Sequence, residues 1–250
     1  EYSTDGGATW KPRLDLAIPD LGFQDATPRL LAQGGRLYLG YEQFGDIMLL
    51  RSDDAGVSWL PAVVVAKHDT SHITNADLFM DASRLYATYL DDYRVAVRTS
   101  TDAGGTWSSP AFLTDGSTAA SSPTISGDGN RTVVTWWQHY GKLKPYNGRV
   151  YARVSTDGGT SFKPVRRVSG PIPASAFGGP EVTFALGRFA IVWQDRDSGL
   201  RLAFSPRGLF WLNRMKLPAT SFGHDVAGTS THLWVVYDAG DDIEGVHATE

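Results

Sequence analysis

The sequence predicts an all-β fold, a single β-propeller of four-stranded blades spanning residues 1–250. Two observations predict it. A motif recurs about every 50 residues, and short β-branched and aromatic segments alternate with tight turns. The composition agrees, because 27 Gly, 8 Trp, 10 Tyr and 11 Phe suit many short strands joined by turns.

The recurring motif has an aspartate near its start and an aromatic residue at its end. Four intact copies read STDGGATW at 3–10, SDDAGVSW at 52–59, STDAGGTW at 100–107 and STDGGTSF at 155–162. A degenerate copy, SPRGLFW at 205–211, has arginine in place of aspartate. Aspartate and serine side chains in a turn bond backbone N–H groups, so the motif aspartates are predicted to be structural. They are Asp5, Asp54, Asp102 and Asp157, which lie 49, 48 and 55 residues apart.

A second repeated segment predicts the strands that precede each motif. A β-branched and aromatic strand opens with arginine or histidine at positions 36, 84, 131, 188 and 232, directly after a turn residue. Third strands are predicted at 47–51, 94–99, 149–154, 200–204 and 243–249. The aromatic residues at 41, 89, 136, 193 and 237 are expected to fill the layers between neighbouring blades.

Five such units account for the length of the chain. Their cores lie near 28–59, 76–107, 123–162, 180–211 and 224–250. The last unit has no motif after its third strand, whereas the first 17 residues hold a motif and an outer strand at 13–17. We therefore predict five blades in a ring closed by residues 1–17, which hides the sheet edges. The alternative is an excerpt of a six- or seven-bladed propeller.

Composition also excludes several classes of function. With no Cys the chain has neither disulfides nor thiolate metal sites. A net charge of -4 gives no strong field toward nucleic acid, and no apolar run is long enough for membrane insertion. We expect no cofactor and no metal, since the spacing of His68, Asp69 and His72 fits no strong zinc motif. The chain is expected to be a monomer that is secreted or periplasmic, with its signal peptide not present.

The motif resembles the Asp-box, or BNR repeat, of sialidase-like β-propellers, and the resemblance extends over essentially the whole chain. It implies a ligand site on the face opposite the boxes, but a fold does not specify a reaction. In the sialidase pattern, an arginine of the carboxylate clamp falls at Ala26 and the tyrosine nucleophile near Phe222. Glu181 and Asp46 are the matches to the sialidase glutamate and acid. The resemblance thus implies an incomplete sialidase site.

Residues that open the inner strands are predicted to line the mouth of the central channel. Three of them are acids. The candidates for general acid–base catalysis on a glycosidic bond are therefore Glu181 with Asp77 or Asp225, and also Asp46 from a nearby loop. The alternative is that these acids have no catalytic role and only line a water-filled polar channel. Basic and aromatic side chains of the same face are candidates for ligand contacts: Arg29, His68, His72, His139, Tyr140, Tyr146, Arg196 and His224.

The leading hypothesis is a ligand-binding module, with a carbohydrate bound across the channel mouth and no complete sialidase site. The second hypothesis is a glycoside hydrolase that uses the mouth carboxylates. The third is a protein-interaction scaffold. The sequence leaves open whether the chain is an enzyme.

Overall fold

The structure, a computed structural model, describes residues 8–9, 28–69, 73–81, 83–139, 148–170, 174, 178–195, 199–217, 223–239 and 242–249. These residues form 19 strands. Within these ranges there is no helix of the length and apolarity needed to cross a membrane.

The strands form five antiparallel sheets, each built from strands in their chain order. Four sheets have four strands, and the fifth has three within the described residues. Blade 1 holds β1 (Arg29–Gln33), β2 (Arg36–Gln43), β3 (Asp46–Ser52) and β4 (Val63–Ala66). Blade 2 holds β5 (Ile73–Met80), β6 (Leu85–Asp91), β7 (Arg94–Ser100) and β8 (Ala111–Phe112). Blade 3 holds β9 (Ala120–Asp128), β10 (Arg131–His139), β11 (Gly148–Ser155) and β12 (Arg166–Arg167).

Blade 4 holds β13 (Glu181–Ala185), β14 (Arg188–Gln194), β15 (Leu200–Ser205) and β16 (Leu212–Lys216). Blade 5 holds β17 (His224–Gly228), β18 (His232–Asp238) and β19 (Ile243–Thr249). The predicted third strands are therefore confirmed to within two residues at each end. The predicted closing strand at 13–17 lies outside the described residues.

The sheets are the blades of a five-bladed propeller, with β1, β5, β9, β13 and β17 as the inner strands. Each inner strand contacts that of the next blade, from β1 to β17. Apolar clusters occupy the layers between blades 1 and 2, 2 and 3, 3 and 4, and 4 and 5. The predicted aromatic layer is confirmed for four of the five rings, which belong to these clusters: Tyr89, Trp136, Trp193 and Tyr237. The fifth, Tyr41, is also buried.

The boxes join third and fourth strands through a repeated hydrogen-bond pattern. In the box at 52–59, the Ser52 hydroxyl donates to Asp54 Oδ1 (2.8 Å) and accepts the Gly56 N–H (2.8 Å). The Ser58 N–H and hydroxyl donate to the two carboxylate oxygens of Asp54 at 2.8 and 2.5 Å. Boxes 100–107 and 155–162 repeat this pattern around Asp102 and Asp157. These aspartates therefore have the structural environment that the sequence predicts, and Asp5 lies outside the described residues.

The degenerate box confirms the role of the missing carboxylate. Ser205, its first residue, is buried, and its hydroxyl oxygen has no hydrogen-bond partner within the described residues. In the intact boxes the corresponding hydroxyl donates to the aspartate that Arg207 replaces here.

Candidate functional site

The candidate site is the channel mouth, where the inner strands of five blades begin. Arg29, Glu181 and His224 are the first residues of β1, β13 and β17. β5 and β9 begin earlier than the repeat predicts, at Ile73 and Ala120. The candidates Arg29, Asp77, Glu181 and Asp225 therefore lie on the inner strands of blades 1, 2, 4 and 5.

Irregularities interrupt β5 and β9, and the one in β5 directly precedes Asp77. The pairing of β5 with β6 shifts register between Thr74 and Asp77, and Asn75 has a positive φ of 54°. β9 has the same feature, with Ser122 at φ 49°. A bulge of this kind re-aims the next side chain, and bulges are concentrated near active sites.

Asp77 is held on two sides. Its Oδ1 lies 3.2 Å from Nε of Arg29 on blade 1, and its Oδ2 accepts the Ile125 N–H of blade 3 at 2.9 Å. The Asp77 side chain is 15% exposed and that of Arg29 is 39% exposed. Burial raises the pKa of Asp77, whereas the Arg29 charge and the Ile125 hydrogen bond act in the opposite direction. Asp77 thus ties three blades together at the mouth.

Glu181 is a carboxylic acid whose surroundings strongly raise its pKa. Burial is the largest cause that raises its pKa to about 8, followed by the negative charge of Asp77. Arg29 acts in the opposite direction, and Asp225 adds a smaller upward effect. Its carboxyl group is therefore mostly protonated at pH 7 and can donate a proton.

Asp225 provides an exposed carboxylate at the same mouth. Its Oδ1 accepts the Val226 N–H at 2.7 Å, which orients the carboxyl group. Its charge raises the pKa of both Asp77 and Glu181. The three acids of the sequence prediction are thus near enough to influence one another across different blades.

His224 lies beside Asp225 in sequence but has another environment. Its two ring nitrogens are buried, and neither makes a hydrogen bond of good geometry within the described residues. Burial lowers its pKa, although backbone groups of Gly179 and Val192 and the charge of Asp225 favour the protonated ring. The neutral ring is packed near blade 4, so its nitrogens are not presented to a ligand.

The remaining candidates lie away from Glu181 or outside the described residues. Asp46 Oδ1 accepts the backbone N–H of the exposed His68 at 2.6 Å, which fixes the loop after β4. Asp46 is not among the charges that act on Glu181. His139 ends β10, with its ring edge-on to Trp137 at 6.2 Å between centroids. His72, Tyr140, Tyr146 and Arg196 lie outside the described residues.

Two polar features were not predicted from the sequence. Arg201 Nε donates to Asp195 Oδ2 at 2.5 Å, and Asp195 is buried, so this arginine is engaged within blade 4. Three other arginines donate to backbone carbonyls in the box of the following blade: Arg51 to Ala103, Arg84 to Gly158 and Arg131 to Pro206. The recurrence of arginine at positions 84 and 131 of the repeat is the sequence feature that could have predicted these hydrogen bonds between blades.

Among the residues that the structure describes, no group of three or more His, Asp or Glu side chains is arranged to hold a metal ion.

Comparisons with known proteins agree with the architecture. Residues 1–12 match the BNR/Asp-box repeat family. No curated protein matches the sequence significantly.

Several solved structures share the fold at low sequence identity. An α-L-arabinanase from Penicillium chrysogenum, complexed with arabinobiose, is 16% identical, with a TM-score of 0.69 over 99% of this chain and 83% of the other. A GH93 α-L-arabinofuranosidase from Fusarium graminearum, also with arabinobiose, is 14% identical, with a TM-score of 0.61 over 86% and 72%. A sialidase from Trypanosoma rangeli is 12% identical, with a TM-score of 0.57 over 84% and 42%. At these identities the likeness establishes the fold.

Proposed function

Since the chain is an Asp-box β-propeller with a sialidase-like fold, we propose that its channel mouth binds a carbohydrate and hydrolyses a glycosidic bond. The observation that carries the proposal is Glu181, a largely buried acid whose pKa is raised to about 8. Hydrolysis of a glycoside needs an acid that is still protonated near neutral pH and a second carboxylate that is not.

Glu181 is the proposed general acid. It donates its proton to the glycosidic oxygen as the bond between that oxygen and the anomeric carbon breaks. The departing alcohol leaves neutral, and Glu181 is left as a carboxylate. Burial and the charge of Asp77 disfavour this carboxylate, so Glu181 still carries its proton near neutral pH when the glycosidic oxygen requires one.

Asp225 is the proposed base. It is exposed and oriented by the Val226 N–H, so it can hold a water molecule at the mouth. As water oxygen bonds to the anomeric carbon, Asp225 takes the proton that the water loses. Solvent then returns a proton to Glu181 and removes one from Asp225, which completes the cycle.

Asp77 and Asp46 are less suited to the role of base. Asp77 already binds Arg29 and the Ile125 N–H, while Asp46 binds the loop at His68. We therefore assign Asp77 to positioning and Asp46 to structure. Arg29 contacts Asp77, and the backbone of His68 contacts Asp46, so both are proposed as ligand contacts beside these acids. The other ligand-contact candidates also remain proposals.

Binding without hydrolysis is the second candidate. It is favoured by the sequence itself, because Ala26 and Phe222 replace the arginine and tyrosine expected of a sialidase. Both candidates use the same mouth and the same class of ligand. The neighbours that hold arabinobiose make this disaccharide a suitable first probe. Secretion or export to the periplasm is proposed on the sequence alone.

The deciding experiment uses arabinobiose binding and release of nitrophenol from 4-nitrophenyl α-L-arabinofuranoside and β-D-xylopyranoside. For an enzyme, we expect turnover that falls about 100-fold or more in Glu181→Gln. The matched control is Glu244→Gln on β19, an outer position, where turnover should stay at the wild-type level. Binding of arabinobiose without turnover would support the second candidate, and neither binding nor turnover would contradict both.

A further inference from the structure

Among the described residues, Arg29 is the one cation whose charge affects the pKa of Glu181, and an acidic side chain lies next to it. Its Nε lies 3.2 Å from Asp77 Oδ1. A free arginine at a sugar site binds carboxylates through its fork of N–H groups. Here the Asp77 carboxylate already lies beside the Nε edge of the guanidinium group.

Asp77 is fixed in this role by its surroundings. The Ile125 N–H donates to its second oxygen at 2.9 Å, and the register shift before it in β5 sets its direction. Only 15% of its side chain is exposed, so it is little screened by water. Asp77 therefore cannot readily turn away to release Arg29.

The resulting balance of charge disfavours an anionic ligand. The charges of Arg29 and Asp77 offset each other, and Glu181 is mostly protonated. Asp225 adds a further carboxyl group, and no other cation acts on Glu181 among the described residues. A sugar carboxylate would meet Asp225 and a guanidinium group whose charge Asp77 already offsets, and like charges at a binding site oppose association. An uncharged sugar has no such cost and can use the oxygens as hydrogen-bond acceptors.

We propose that Asp77 is a specificity-determining residue that reserves the mouth for uncharged sugars by holding Arg29 in an ion pair. This inference rests on the proposed carbohydrate function of the same site. It differs from a purely structural role for Asp77, in which the ion pair only joins blades 1 and 2. A structural role predicts lower stability after substitution but the same preference between neutral and acidic sugars.

The test is a change of preference in Asp77→Asn, which frees Arg29 and keeps the side-chain shape. Binding of arabinobiose and of digalacturonate is measured by calorimetry at pH 6.5. We expect wild type to prefer arabinobiose, and the ratio of the two affinities to shift about tenfold or more toward digalacturonate in the variant. Adding Arg29→Gln to Asp77→Asn should abolish that shift, because the freed guanidinium group is its cause.

Two further variants keep the test decisive. Asp128→Asn removes an aspartate that pairs with Arg131 at the far end of β9, so it matches the change in charge and the loss of an ion pair. It should leave the affinity ratio unchanged. If Asp77→Asn does not fold, as judged by thermal melting, Asp77→Ser replaces it, since it also removes the carboxyl group beside Arg29.

Several outcomes would overturn the inference. Digalacturonate bound by wild type as tightly as arabinobiose, an unchanged ratio in Asp77→Asn, or a shift that survives Arg29→Gln would each do so. Failure of the proposed function is a separate result, in which wild type neither binds arabinobiose nor cleaves the aryl glycosides. A gain of digalacturonate binding in Asp77→Asn that depends on Arg29 would still support the masking of Arg29 in that case.

Discussion

Carboxyl groups of this chain lie in two opposite environments. Three box aspartates have their pKa lowered to about 2 by hydrogen bonds from serine and threonine within the same turn. Glu181 has its pKa raised to about 8, chiefly by burial and by the neighbouring Asp77. The first environment stabilises charge and the second disfavours it, and only the second yields a proton donor at neutral pH.

If Glu181 is the general acid, the rate of glycoside cleavage should decline on the alkaline side with a midpoint near pH 8. The reason is that an ionised Glu181 has no proton to give. Asp77→Asn removes the negative charge that raises the Glu181 pKa and frees Arg29, so the midpoint should move to lower pH. A kcat/KM profile measures both, and an alkaline midpoint that does not move in Asp77→Asn would contradict the assignment.

Glu181→Gln should also change stability in a pH-dependent way. Because the folded-state pKa of Glu181 lies above the ordinary 4.5, its contribution to the stability of the wild type is fully present below pH 4.5. The contribution is lost as pH rises toward 8. The glutamine variant does not titrate, and at pH 8 it should be more stable than wild type by about 1 to 3 kcal/mol. Urea unfolding at pH 4.5 and pH 8 checks this, with Glu244→Gln as the control. An equal difference at both pH values would contradict it.

Among the elements, the box turn is the most regular, and its backbone has a left-handed step. Ala55 in the box of blade 1 has φ 58°, and Ala103 in blade 2 has φ 57°, whereas the box of blade 3 uses Gly158 at φ 69°. A non-glycine residue in this conformation costs about 1 kcal/mol. The repeated turn therefore keeps some strain in its first two copies.

Ala55→Gly should relieve that strain at an exposed position. We expect a gain of about 0.5 to 1 kcal/mol in the free energy of unfolding, reduced by the greater freedom of glycine in the unfolded chain. Chemical denaturation measures it. The reciprocal variant, Gly158→Ala, should lower stability, and a loss of stability in Ala55→Gly would show that the turn is unstrained.

The box aspartates should also set the stability of the protein in acid. Their folded-state pKa lies below the ordinary 3.8, so their contribution is present above pH 4 and is lost as pH falls toward 2. Asp102→Asn keeps an acceptor oxygen but no charge. It should be less stable than wild type at pH 6, and the difference should disappear by pH 2 in thermal melts. A difference that persists at pH 2 would point to shape and not to charge.

The whole molecule is stabilised by apolar layers between blades. Trp136, fully buried between blades 2 and 3, also donates its indole N–H to Gln138 at 3.1 Å. Trp136→Ala should lower the free energy of unfolding by about 3 to 5 kcal/mol. Trp234→Ala, at a side chain that is 38% exposed, is the control and should cost about 1 kcal/mol. Equal losses would mean that the layers contribute no more than surface packing.

The fold could be predicted because its signals are local and repeated. The Asp102 box makes its hydrogen bonds within residues 100–106, and the aromatic positions recur with each blade. The identities of the mouth residues followed from the repeat register. The pairing of Arg29 with Asp77 could not be predicted, because a register shift in β5 aims Asp77 and no sequence pattern marks it.

The sequence by itself determined the blades, their boxes and their aromatic layers, and it predicted a set of acids at the channel mouth. Only the tertiary structure decided the state of those acids. The protonation state of Glu181 depends on its burial and on the charges of Asp77 and Arg29, and these three residues belong to three different blades. Charge interactions depend on distance in space and on exposure to water, and neither is encoded within one repeat.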